Sequence, residues 1–140
     1  MHHRMKVRDL MTPDVYTLRI HDTALAAHEL MELHRIRHVP LVDADNELVG
    51  LVTQRDLLRG VLAQAVELPL SARNELLRRV RLEEVMIAEP ESVEPDQELV
   101  EAGGMLLENK FGCLPVVEGT TLVGILTEAD FVRYVTENER

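Results

Sequence analysis

The chain has 140 residues, 46% of them hydrophobic, and its formal net charge is −10 at pH 7. This acidity argues against nucleic acid as a partner, because proteins that bind nucleic acid present a basic surface. No stretch approaches the roughly 20 apolar residues that a membrane span requires, and the first residues lack the apolar centre of a secretory signal. Cys113 has no second cysteine to pair with, so we expect a cytoplasmic protein.

The first half of the chain alternates strand-like and helix-like patterns. Residues 15–18 predict a brief strand, and Asp22 is a favourable N-cap for a helix that ends near Arg35. Residues 38–52 contain two apolar stretches separated by a polar turn, which predicts a hairpin. Thr53 then opens a second helix.

The second half repeats this order of elements. Residues 92–93 predict the brief strand, and Asp96 is the N-cap of a helix that ends near Asn109. Residues 114–126 predict the hairpin, and Thr127 opens the last helix. Each half is thus strand, helix, strand, strand, helix, and the fold class is mixed α/β (α+β).

Two features interrupt this regular order. The connector between the halves holds a helix that Ser71 can cap, and its apolar residues predict that it is packed. Gly103 and Gly104 lie inside a predicted helix, where each costs roughly 1 kcal/mol relative to alanine. They indicate either a tolerated weakness or the close approach of another helix, such as one from a second subunit.

A ten-residue phrase occurs twice. Residues 50–59 read GLVTQRDLLR and residues 124–133 read GILTEADFVR, with Gly, Thr, Asp and Arg at identical spacing. Polar residues at fixed offsets indicate a duplicated structural unit. We therefore divide the chain into a first repeat, a helical connector and a second repeat, at residues 7–66, 67–81 and 82–140. A repeat of about 60 residues buries only a marginal core, so the repeats are expected to pack together with pseudo-twofold symmetry.

The duplicated pattern resembles the cystathionine-β-synthase (CBS) domain family. The resemblance rests on Met11-Thr12 and Met86, which open the repeats, and on the strands HVPLVD and CLPVVE. Each strand is followed by the Gly-x-x-Thr-x-x-Asp phrase. The resemblance implies a Bateman module, which is a pair of domains that binds adenosine-containing ligands in clefts between its halves and regulates an attached or separate protein.

The resemblance also implies two sets of ligand-binding residues. In the family, the Asp of the phrase holds the ribose hydroxyls, the Thr helps to hold ribose or phosphate, and backbone near the first strand and the Pro step grips adenine. The first set is Thr17, Leu18, Val39, Pro40, Thr53 and Asp56. The second set is Ser92, Val93, Leu114, Pro115, Thr127 and Asp130.

The Thr-x-x-Asp spacing also has a purely local explanation. A threonine N-cap accepts a hydrogen bond from the third helical amide, and an acid at that third position bonds back. The same helix start presents free amides that suit an anion. Thr53, Asp56, Thr127 and Asp130 are therefore either helix caps alone or caps that also bind ligand.

Candidate phosphate-binding side chains are unevenly distributed between the repeats. The first repeat offers Arg35, Arg37 and His38, and the second offers only Lys110. Arginine can bind phosphate oxygens in a bidentate manner, although cations at a helix end equally complement the helix dipole. Glu128 stands where the first repeat has Gln54 and would repel a phosphate. We expect non-equivalent sites, with the charged ligand at the Asp56 site or a less anionic ligand at the Asp130 site.

No pattern in the chain predicts catalysis or a metal site. The histidines lack the spacing of a metal-binding helix, and no nucleophile–base set or phosphate-binding loop is present. Cys113 lies in an apolar strand pattern, which is typical of a core thiol. We therefore expect that the protein is not an enzyme and requires no cofactor.

The leading hypothesis is a stand-alone regulatory module. It would bind AMP, ADP, ATP or another adenosyl compound, form a homodimer, and signal to an effector protein in trans. The alternative is a ligand-free dimerisation or interaction module, in which the duplicated threonines and aspartates are only helix caps.

Overall fold

The structure is a computed structural model that describes residues 4–62 and 67–138. Its helices are α1 Val7–Leu10, α2 Ala24–His34, α3 Gln54–Leu57, α4 Leu70–Arg78, α5 Leu99–Glu108 and α6 Glu128–Asn138. Its strands are β1 His38–Val42, β2 Leu48–Thr53, β3 Ile87–Ala88, β4 Cys113–Glu118 and β5 Thr121–Thr127. A π-helical turn at Leu58–Leu62 follows α3, and a 3₁₀ turn covers Leu82–Glu84. The predicted mixed α/β class is confirmed.

The chain forms two compact units that differ from the sequence repeats. One unit, called here the first-repeat unit, is Tyr16–Glu89. The other, the second-repeat unit, combines Met1–Val15 with Pro90–Arg140. The opening segment of each repeat therefore belongs to the unit built around the other repeat. The boundaries at 7–66, 67–81 and 82–140 remain a prediction about the duplication.

The first-repeat unit is built on the predicted hairpin. β1 and β2 pair antiparallel with Val39 opposite Val52, and β3 adds to the free edge of β2. The strand predicted at residues 15–18 is reduced to a single parallel bridge from Leu18 to Leu41. The Leu18 amide donates to the Pro40 carbonyl oxygen at 3.3 Å, so this segment still runs along β1.

The second-repeat unit has the same layout. β4 and β5 form the predicted antiparallel hairpin, with Leu114 opposite Leu126. Val93 bridges β4 in parallel, which again replaces the predicted strand by a single bridge. On the other edge, Thr12 exchanges two backbone hydrogen bonds with Ile125, at 2.8 and 3.0 Å. Both hairpins carry a register shift at the same step after the proline.

Three predicted helix caps are wrong. Thr23 rather than Asp22 caps α2, because the Asp22 carboxylate instead accepts the Arg19 amide at 2.7 Å. α5 begins after Glu98 rather than Asp96, where the Leu99 amide donates to the Met5 carbonyl oxygen. α4 begins at Leu70 after a proline, one residue before Ser71. A local turn engages Asp22 and a distant segment supplies the bond at α5, whereas α4 starts without a side-chain cap.

The duplicated glycines make room for the exchanged segments. A Cβ atom on Gly50 would lie 2.7 Å from the Met86 sulfur, and one on Gly124 would lie 2.8 Å from the Met11 sulfur. Met86 opens the second repeat and Met11 opens the first. The glycine and the methionine of the pattern are therefore a packing pair that joins one repeat to the other's opening segment.

The two glycines inside α5 differ in their surroundings. Gly103 faces the Phe131 ring of α6, which would be 3.5 Å from an added Cβ. Gly104 would meet no heavy atom of the described chain within 4 Å. Gly103 therefore has only an ordinary contact with a side chain of α6, and the approach of a second subunit stays a prediction.

The connector helix α4 covers apolar residues of the first-repeat unit whose counterparts in the second-repeat unit are exposed. α4 packs on α2 and on the π turn, where Leu25 is 7% exposed and Val61 is 3% exposed. Their counterparts in the second repeat, Val100 and Val135, are 87% and 54% exposed. The packed connector predicted from its apolar residues is confirmed. Within residues 4–62 and 67–138, no helix combines the length and hydrophobicity that crossing a membrane needs.

Candidate functional site

The first-repeat site centres on the start of α3. The Asp56 amide donates to Thr53 Oγ1 at 3.1 Å, and the Thr53 amide donates to Asp56 Oδ2 at 3.2 Å. The Thr53 hydroxyl also donates to Asp56 Oδ2, at 2.8 Å. The predicted reciprocal cap is confirmed. One oxygen of the carboxylate, Oδ1, takes no part in these bonds.

The other predicted residues of this site lie in the same unit. Thr17 precedes Leu18, which runs beside Pro40, and Val39 follows the residue that pairs with Thr53 in the sheet. The structure thus places the Leu18 segment on one side of β1 and the start of α3 at the far end of β2. Val39 and Pro40 are buried, and the Pro40 carbonyl oxygen already accepts the Leu18 amide.

The second-repeat site has the same framework. The Thr127 amide donates to Asp130 Oδ2 at 2.8 Å, and the Asp130 amide donates to Thr127 Oγ1 at 3.3 Å. Val93 runs beside Pro115 with an amide-to-carbonyl bond of 3.0 Å. Ser92 precedes this bridge, and Leu114 is fully buried in β4. All six predicted residues again lie in one unit.

The two aspartates differ in their surroundings. Asp130 is 3% exposed, and its Oδ1 accepts the Arg133 guanidinium at 3.0 Å and the Thr12 hydroxyl at 3.4 Å. Asp56 is half-buried, and its described hydrogen bonds come from Thr53 alone. Neither Thr12 nor Arg133 was predicted as a site residue from the sequence. The identical position of Arg in the two phrases hinted at a role, but nothing local connects Thr12 with a residue 118 positions away.

The candidate phosphate-binding residues lie around the start of α3 and at the corresponding turn of the second repeat. The Arg37 carbonyl oxygen accepts the Gln54 amide at 2.8 Å, and His38 pairs with Thr53 in the sheet. Arg35 ends α2 in a left-handed conformation and is exposed, as is Lys110 after α5. The backbone of Arg37 and His38 therefore lies next to the start of α3, where Asp56 is. Arg35 lies at the end of the preceding helix, α2.

Cys113 is a core residue. It is almost fully buried in β4, and burial raises the pKa of its thiol to about 12. A protonated, enclosed thiol is a poor nucleophile. Among the residues that the structure describes, no three His, Cys, Asp or Glu side chains are grouped so that they could hold a metal ion.

Comparison with known proteins establishes the class of this fold. The CBS domain model matches residues 7–63 and 82–137, so the chain belongs to the CBS domain family and carries two copies of the domain. The resemblance drawn from the duplicated phrase is confirmed.

Particular relatives extend along nearly the whole chain. The chain is 33% identical over 137 residues to YlbB of Bacillus subtilis, and the match covers 96% of this chain and 85% of YlbB. AcuB from Vibrio cholerae superposes with a TM-score of 0.81 at 39% identity, covering 96% of this chain and 93% of AcuB. CBSX2 in complex with AMP has a TM-score of 0.79 at 28% identity, covering 96% and 99%. The chain spans 41% of a longer relative from Methanocaldococcus jannaschii.

Proposed function

We propose that this CBS-domain pair is a cytoplasmic regulatory module that binds AMP, ADP, ATP or another adenosyl compound and signals to a separate effector rather than catalysing a reaction. The observation that carries the proposal is the half-buried Asp56 carboxylate, which keeps one oxygen free at the helix start that follows β2. A charged acceptor in that position suits the hydroxyls of a ribose. The similar CBSX2 was solved with AMP, which supports the ligand class.

The assigned roles follow from the chemistry at each site. Asp56 and Asp130 would accept ribose hydroxyls, and Thr53 and Thr127 would hold ribose or phosphate. The backbone of Leu18 and Pro40, and that of Val93 and Pro115, would bind the adenine edge. The remaining assigned members are Thr17, Val39, Ser92 and Leu114, with Arg35, Arg37, His38 and Lys110 for phosphate.

A panel of adenosine ligands tests the proposal. Thermal unfolding should be measured with AMP, ADP, ATP, S-adenosylmethionine, NADH and cyclic di-AMP, with GMP as the control for base recognition. At about 100 times Kd, the ligand should stabilise the fold by about 2.7 kcal/mol, which is a shift of several degrees in Tm. No shift with any adenosine ligand would refute the sensor function and favour the ligand-free module.

The homodimer has support of its own. Val100, Gly104 and Leu107 share one face of α5, and the two large side chains are 87% and 90% exposed. Val100 stands where the first repeat has Leu25, which is buried beneath the connector helix. Gly104 would let another backbone approach closely. We propose that a second copy of the chain covers this face.

Leu107→Glu should dissociate that dimer, because it places a charge in the apolar contact. Leu33→Glu is the matched control, since Leu33 is also an exposed helical leucine but lies on α2. Light scattering after size-exclusion chromatography should give a dimer for the wild type and Leu33→Glu, and a monomer for Leu107→Glu. A dimer in all three would place the interface elsewhere.

A further inference from the structure

Both oxygens of the Asp130 carboxylate accept hydrogen bonds within its own unit. Oδ2 accepts the Thr127 amide, and Oδ1 accepts both Arg133 Nη1 and the Thr12 hydroxyl. Asp130 is 3% exposed, whereas Arg133 is 59% exposed. The arginine therefore covers a buried carboxylate while its own side chain remains largely in solvent.

The Asp56 carboxylate is not covered in this way, although the phrase places Arg59 at the same spacing. Arg133 lies on the regular helix α6, where residues three apart are neighbours on the surface. Arg59 lies in the π turn after α3, where the backbone departs from the regular α-helical spacing. In the described part of the chain, Arg59 forms no ion pair with Asp56.

The second covering group also has no counterpart in the first-repeat unit. Met11 and Met86 pack on equivalent glycines, so the residues that follow them, Thr12 and Ile87, occupy equivalent places. Thr12 brings a hydroxyl to Asp130, and Ile87 has none to bring. Both differences act in the same direction, since they leave Asp56 open and Asp130 closed.

We propose that Arg133 is a specificity-determining residue of the second-repeat site, and that it makes this site select phosphorylated adenosine compounds over neutral ones. The inference rests on the proposed function. A ribose hydroxyl can reach Asp130 Oδ1 only by displacing the Arg133 guanidinium. A ligand phosphate gives the displaced guanidinium a new, charge-assisted partner, whereas a neutral nucleoside leaves it without one.

This selectivity differs from the expectation based on Glu128 alone. Glu128 is exposed at the first position of α6 and would repel a nearby phosphate. Solvent screens the charge of this exposed carboxylate, so its repulsion of a phosphate contributes little to the binding free energy. Arg133 contacts the ligand-binding carboxylate directly, so its charge decides the preference at that position.

Calorimetric titration of the second-repeat site tests the inference. Asp56→Ala removes the first-repeat site, and binding of AMP and adenosine is then measured with and without Arg133→Met, which keeps the apolar part of the side chain. With Arg133 present, AMP should bind roughly tenfold more tightly than adenosine, which is about 1.4 kcal/mol. Arg133→Met should tighten adenosine and weaken AMP until the two affinities are within about twofold.

Two controls isolate the role of Arg133. Arg133→Lys should retain most of the preference for AMP, because the cation remains. Arg59→Met in an Asp130→Ala background should leave the ratio at the first-repeat site unchanged. An unchanged ratio in Arg133→Met with binding intact overturns this inference alone. If neither ligand binds the wild type or any variant, the inference fails, and the thermal-unfolding panel of adenosine ligands decides separately whether the proposed function fails as well.

Discussion

Asp56→Ala is expected to remove most of the affinity for an adenosine ligand at the first-repeat site. The carboxylate offers an oxygen with no described protein partner, and hydrogen bonds to a charged group contribute about 1.5–3 kcal/mol each. Loss of one such bond weakens binding roughly 10-fold to 100-fold. Calorimetry with AMP should show this loss at one site while the other site still titrates.

The same substitution also removes a helix cap, so its effect on folding must be separated from its effect on binding. A lost cap costs about 0.5–2 kcal/mol of stability. Asp9→Ala is the matched control, because the Asp9 carboxylate accepts the Lys6 amide at 2.8 Å in the same type of helix start. Asp9→Ala should lower Tm without changing affinity. Wild-type affinity in Asp56→Ala would show that Asp56 is only a cap.

Gly50→Ala and Gly124→Ala are expected to be among the most destabilising single-methyl changes in the chain. Each added Cβ would press on a methionine sulfur, at 2.7 Å in one case and 2.8 Å in the other. The Cβ added at Gly124 would also lie 3.0 Å from the Thr12 carbonyl oxygen, whereas the one added at Gly50 would lie 3.3 Å from the corresponding oxygen of Ile87. Overpacking of this kind costs about 1–3 kcal/mol, with Gly124→Ala the larger effect, and urea unfolding measures both.

A double-mutant cycle checks the cause of this destabilisation. Met86→Ala should relieve much of the cost of Gly50→Ala, because the methionine is its nearest neighbour, and the two changes should be clearly non-additive. Gly104→Ala, measured in the Leu107→Glu background that dissociates the proposed dimer, is the control inside a helix. It meets no described atom, so it should be neutral or stabilise by up to about 1 kcal/mol. Additive energies for Gly50 and Met86 would contradict the packing explanation.

Much of the fold was predictable because the same sequence pattern occurs in both repeats. The hairpins follow from apolar stretches around polar turns, and Thr53 and Thr127 open helices as their spacing with an acid indicates. These are local rules, in which the partner lies within four residues. Asp22 failed as a cap for the same reason, since a turn partner three residues earlier competed for its carboxylate.

The features that distinguish the two sites were not predictable because they depend on distant or irregular structure. Thr12 reaches Asp130 only after the first segment has joined the second repeat. Arg59 and Arg133 occupy the same position within the duplicated phrase, but only Arg133 pairs with its aspartate. The π turn at Arg59 has no recognisable signature in the phrase. Spacing identified the aspartates, and tertiary structure decided which of them is open.

The exchange of opening segments implies an order of folding during synthesis. The first-repeat unit is one continuous stretch, Tyr16–Glu89, and can close as soon as Met86 has left the ribosome and reached Gly50. The second-repeat unit needs Met11, made near the beginning, and Gly124, made more than a hundred residues later. Residues around Met11 are therefore without their packing partner until Gly124 has been made. Because unpaired apolar segments invite aggregation, this interval is the vulnerable period in the biogenesis of the chain.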